Sequence, residues 1–163
     1  MTKEVPHDLI DILKQTPGAV SDLLRGLSDL SARVKNSPEE FSALENVCHL
    51  RDIEIEGYAV RISRILDEEN PSLPDVDGSR LAIERDYNSQ NLAKALQDFE
   101  SARKRNTERL SRLNPEQFDR NGTMEGVGTV TIKKLLEMMR EHDEDHLHEL
   151  NIIHHRLHRA RTT

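Results

Sequence analysis

The chain has 163 residues, a formal net charge of -7, one cysteine and no tryptophan, with 35% hydrophobic, 3% aromatic and 33% charged residues. This length can bury one real core, and so few aromatics suit amphipathic helices with solvated outer faces better than a β-sandwich. The acidic balance argues against a general nucleic-acid binder, which needs an extended basic face, and the lone Cys48 excludes an internal disulfide. With no signal-like segment and no apolar run near about 18 residues, the expectation is a soluble cytoplasmic protein that does not engage membranes.

In chain order, HDLIDILKQ at about 7–15 reads as a short amphipathic helix. Thr16-Pro17 then has the form of an N-cap followed by proline at the first helical position. It opens a helix carrying Val20, Leu23, Leu24, Leu27, Leu30 and Val34 and ending near Lys35-Asn36. The next long helix starts at Ser37 or Ser42, because Ser37-Pro38-Glu39-Glu40 and Ser42-Ala43-Leu44-Glu45 both have capping-box spacing. It runs to about Leu66 with a stripe of Phe41, Leu44, Cys48, Ile55, Ala59, Ile62 and Leu66. ENPSLPDVDG, residues 69–78, holds two prolines and a glycine and reads as a crossover. A third helix from near Ser89 to about Leu113 puts Leu92, Leu96, Phe99, Leu110 and Leu113 on one face. RNGTMEGVGTVT forms a loop or small hairpin, and the last helix starts at about Thr131. Four long helices with one long connection predict a single all-α domain over 1–163, a four-helix bundle with little room for strands.

Polar residues that interrupt these stripes carry the functional information, since burying one costs about 1–3 kcal/mol unless a partner satisfies it. In the last helix Ile132, Leu135, Met139, His142, His146, Leu150, Ile153 and Leu157 step by three or four, so His142 and His146 face inward. Four residues turn a helix through about 400°, which leaves the rings about 40° apart and one turn removed, able to share one metal. His49, mid-way along the second long helix, is the third candidate ligand. Asp52 fills the missing step of that helix's stripe, either as an ion-pair partner or as a carboxylate that ligates metal or fixes a histidine tautomer. Arg103 and Asn106 occupy inward positions in the third helix; Arg103 either pairs with a bundle carboxylate or holds an anionic substrate. Cys48 reads as a buried thiol. His154 and His158, with Arg156, Arg159 and Arg161, read as a solvated basic tail at about 154–163 that complements the helix dipole.

Spacing narrows the metal chemistry. A ferritin-like di-iron centre needs Glu-x-x-His, which no histidine of the long helices supplies. A zincin needs His-Glu-x-x-His, whereas position 143 is Asp. The segments FSALENVCHLRDIE, RISRILDEENPSLPDVD, ALQDFESAR and GVGTVTIKKLLEMMREHDEDHLHEL resemble the DinB-like superfamily of small bacterial metal-binding bundles, with Phe41 standing where a Trp often precedes the Ser. The resemblance implies an up-down-down-up bundle with its long crossover between the second and third helices, often dimeric. It also implies a zinc or nickel site made by His49, His142 and His146 with one coordination position open.

Relatives of known activity include thiol S-transferases, so the leading expectation is a metal-dependent transferase joining a low-molecular-weight thiol to a small electrophile in stress or detoxification, with Arg103 as a substrate contact. A non-catalytic metal- or ligand-binding bundle is one alternative. The other is metal-water hydrolysis with Asp52 or Asp143 as general base.

Overall fold

The computed structural model describes residues 4–161. Four long helical segments build the bundle: α1 (His7–Leu23); α3 (Ala43–Asp52) continuing through a π-helical stretch (Ile53–Tyr58) into α4 (Ala59–Asp67); α6 (Leu92–Ser111); and α7 (Ile132–Arg161). Shorter pieces join them, namely the single turn α2 (Asp29–Ala32) and α5 (Gly78–Glu84) in the crossover. α1 packs on α6 and α7, and α3 packs on α6 and α7, which closes the four-helix bundle.

Two departures from the sequence reading come early in the chain. α1 does not break at Thr16-Pro17: the helix expected over about 7–15 runs on to Leu23 with Pro17 inside it. An interior proline withholds the amide that would bond four residues back. The carbonyl left over, on Leu13, accepts instead from Arg103 Nη1 at 2.9 Å. Thr16 turns inward and its Oγ1 donates to Asp143 Oδ2 at 2.7 Å, so the pair that looked like a helix start is a polar contact in mid-helix. The helix expected to reach Lys35-Asn36 stops early, because Gly26 adopts φ 78°, a left-handed conformation that terminates helices. Only the turn α2 follows, capped by Ser28, and Leu30 and Val34 lie exposed.

Of the two possible starts for the second long helix, Ser42 is the one used, its side chain accepting from the Glu45 amide. The π-helical stretch then alters the stripe. A wider turn advances less per residue than an α turn, so Ile55 is 40% exposed while Glu54 and Tyr58 turn inward.

The chain also forms three short strands where little room was expected. β1 (Ser72–Leu73) lies parallel to β2 (Asn121–Met124), which pairs antiparallel with β3 (Gly128–Thr131) in the hairpin foreseen before the last helix. The sheet ties the start of the crossover to the hairpin.

The apolar core falls into two clusters. One gathers Ile10, Leu13, Ile62, Leu110, Ile132, Leu135 and Met139; the other gathers Val20, Leu44, Cys48, Leu92, Phe99, Leu150 and Ile153. Between them every long helix contributes polar side chains at one level: Thr16 from α1, Asp52 and Glu54 near the π stretch, Arg103 and Asn106 from α6, and His142, Asp143 and His146 from α7. The functional side chains therefore lie in a polar layer across the middle of the bundle. Thr16→Val keeps the shape but removes a donor to a charged acceptor, so it should cost about 1.5–3 kcal/mol in urea-induced unfolding. A change under about 0.5 kcal/mol would mean that the contact to Asp143 carries no weight.

Candidate metal centre

His49 comes from α3, and His142 and His146 from successive turns of α7. Their candidate ligand nitrogens all lie within 4.8 Å of one another, and His49 Nε2 faces His142 Nε2 at 3.0 Å. Two nitrogens each about 2.0–2.1 Å from a tetrahedral ion are about 3.3 Å apart, so small ring rotations suffice to admit one. His146 has its tautomer set from outside the triad. Its Nδ1 lies 2.7 Å from Asn46 Oδ1, and Asn46 Nδ2 donates to the Ser42 carbonyl, which leaves Oδ1 as the atom facing the ring. Nδ1 therefore carries the proton and Nε2 keeps its lone pair, the arrangement a metal-binding imidazole requires. Glu149 Oε2 stands 3.6 Å from the same Nδ1, and that interaction holds its carboxyl below the usual range despite partial burial.

Burial keeps the His49 and His142 rings neutral. Burial, reinforced by repulsion from His146, lowers His49 to about 4. Burial with repulsion from His146 and His49 lowers His142 to about 3. Near neutral pH each is an imidazole with one ring nitrogen bearing a lone pair, so the donor set fits a divalent cation.

A cleft of about 380 Å³ opens beside the triad, lined by the loop before α3, by Ser79 of the crossover and by α7 from His146 to Arg156. Its polar lining includes Glu39, Glu40 and Glu149 against Arg156.

The remaining candidates lie elsewhere. Asp52, considered as ligand or base, is held by Arg51 Nε at 2.7 Å, Arg85 Nη1 at 2.9 Å and Tyr87 OH at 2.6 Å. Burial alone would raise its pKa, but these three donors hold it below the ordinary value, so it is an ion-pair anchor. Arg103, expected to meet substrate, is 1% exposed. Its Nη1 and Nη2 donate to Asp143 at 2.6 and 2.8 Å, Nη2 also to Glu54 at 2.9 Å, and Nε lies 2.9 Å from Glu54 Oε1 at ion-pair distance. That geometry also removes Asp143 as a free base, since both its oxygens are occupied. Glu54 takes a further bond from Asn106 Nδ2 at 2.9 Å.

Asn46, Glu149 and Glu54 were not singled out in the sequence, and Thr16 was read only as a helix cap. Asn46 stands three residues before His49 and Glu149 three after His146, a spacing that shares a helix face and could have revealed them. The C-terminal segment differs too. His154 is half-buried with Nδ1 2.8 Å from the Leu23 carbonyl, so that part of α7 is docked and not a solvated tail.

Cys48 is buried, as expected, and burial pushes its thiol up to about 11. Because the thiolate is the reactive form, native protein at pH 8 should resist iodoacetamide while denatured protein is alkylated. Mass spectrometry showing rapid labelling of folded protein would contradict this.

With this geometry in view, comparisons give three findings. A sequence profile of the DinB superfamily matches residues 12–150. The solved structure of YfiT from Bacillus subtilis, described as a probable metal-dependent hydrolase with an unusual four-helix bundle topology, superposes with a TM-score of 0.86 at 20% identity, covering 96% of this chain and 90% of YfiT. No curated protein matches the sequence.

Proposed function

Since the chain belongs to the DinB superfamily, we propose that it is a divalent-metal-dependent hydrolase of small molecules, with His49, His142 and His146 holding the ion at the inner end of the cleft. The observation that carries this reading is the convergence of three imidazoles, one with its tautomer fixed by Asn46 so that Nε2 is free. Three histidine ligands leave a coordination position for solvent or substrate. A zinc-like ion held by these residues would supply Lewis acidity and lower the pKa of water toward neutrality. Asn46 and Glu149 orient His146, and the apolar cluster around Leu44, Cys48 and Ile153 excludes bulk water from one side. The description of YfiT supports hydrolysis over thiol transfer. So does the cleft, where three carboxylates against one guanidinium disfavour an anionic thiol.

The test is turnover. Zinc-, nickel- and manganese-loaded protein is assayed against small esters, amides and lactams, and separately for conjugation of low-molecular-weight thiols to electrophiles. Metal-dependent hydrolysis lost in His142→Ala supports the reading. Conjugation without hydrolysis would replace it with the thiol transferase, and tight metal binding without either activity would leave a binding bundle.

A further inference from the structure

His49 differs from its partners in how its ring is held. His146 has Asn46 and Glu149, but His49 Nδ1 is buried without a hydrogen-bond partner. What stands against that edge of the ring is Gly78, the first residue of α5. A Cβ built on Gly78 would overlap Cε1 and Nδ1 of His49 at under 3.0 Å, and the third-nearest atom, at 3.6 Å, is Nε2 of the same ring. The backbone gives no other reason for glycine: positive φ occurs at Gly26, Gly126 and Gly128 but not here. A glycine at the start of a helix in ordinary conformation, where alanine has the better propensity, points to close approach.

The wall that Gly78 belongs to is well tethered. β1 pairs with β2 just upstream, Arg61 Nε donates to the Pro74 carbonyl at 3.0 Å, and Asp77 caps α5 by accepting from the Arg80 amide at 3.0 Å. The crossover is thus held against the bundle upstream of Gly78, and beyond α5 Arg85 ties it to Asp52 at 2.9 Å.

We propose that Gly78 is a positioning residue: the crossover backbone at Gly78 forms the surface on which the His49 imidazole lies, fixing by contact the orientation that a hydrogen bond fixes in His146. This rests on the three-histidine metal reading. A side chain at position 78 turns the His49 ring, moving Nε2 away from His142 and His146.

The experiment compares wild type, Gly78→Ala, and Gly18→Ala as a control, since a Cβ at Gly18 meets nothing within 4 Å. Zinc affinity is read by competition with a chromogenic chelator, ligand geometry by the visible absorption of the cobalt(II) form, and apo stability by urea unfolding. Gly78→Ala should bind zinc about 10–100-fold more weakly, the range seen when a ligand's support is lost, with an altered cobalt spectrum; Gly18→Ala should match wild type in both. Unchanged affinity and spectrum in Gly78→Ala would overturn the proposal. Absence of zinc binding by wild type would instead overturn the metal reading itself.

A double-mutant cycle on apo protein guards against simple misfolding. The loss of urea midpoint caused by Gly78→Ala should vanish in a His49→Ala background, where the overlapping ring is gone. A penalty that persists there would show that the ring is not what position 78 accommodates.

Discussion

Arg103→Met should cost about 3–5 kcal/mol of folding stability, because it leaves Glu54 and Asp143 buried without their cation. Glu54 and Arg103 are each 1% exposed and Asp143 is 3% exposed, so water cannot replace the guanidinium. The remaining donors, Asn106 to Glu54 and Thr16 to Asp143, are neutral. Against a typical total of about 5–15 kcal/mol for a domain, such a loss is a large fraction of the stability. Urea denaturation followed by circular dichroism measures it. Adding Glu54→Gln and Asp143→Asn to Arg103→Met should recover much of the loss by removing the stranded charges. A single variant within about 1 kcal/mol of wild type would show that the cluster relaxes to solvent.

Metal binding should raise stability with a clear residue dependence. Zinc at a hundredfold excess over Kd should stabilise wild type by about 2.7 kcal/mol. His49→Ala, His142→Ala and His146→Ala should lose that increment, while His154→Ala and His158→Ala should retain it. Asn46→Ala should weaken affinity about 10–100-fold, since Nδ1–H of His146 loses its acceptor. Equal loss from the His154 and His158 variants would mean that the wrong histidines have been identified.

The metal-free protein should show the burial of the same rings. His49 falls from 6.5 to about 4 and His142 to about 3 on folding. Between those values and 6.5 the unfolded chain binds more protons than the folded one, so stability is full above about pH 6.5 and declines as pH falls toward 4 and then 3. A metal-free urea midpoint that is flat from pH 7 to pH 4.5 would contradict these shifts.

Much of the arrangement was legible from periodicity. Stripes at three- and four-residue spacing marked α6 and α7 and the start of α3, and the inward phase of His142, His146 and Arg103 followed directly. Thr16 and Glu54 were illegible for identifiable reasons. Thr16-Pro17 carries a strong local signal for a helix start, which was overridden because Arg103 takes the Leu13 carbonyl and Asp143 takes the Thr16 hydroxyl. Glu54 was hidden because a straight-helix projection places Ile55 inside, and the π stretch reverses the two.

The sequence by itself determined that four long helices form a bundle and that His142, His146 and Arg103 face inward, because burial of a helical face is written in local spacing. Only the tertiary structure decided what each buried polar group pairs with. Arg103 lies 40 residues from Asp143 and 49 from Glu54, and Thr16 lies 127 from Asp143. A stripe says that a side chain faces inward, but its partner depends on the rotation and axial offset of another helix. That choice turned Arg103 from a substrate contact into the centre of an ion network and set Gly78 against His49.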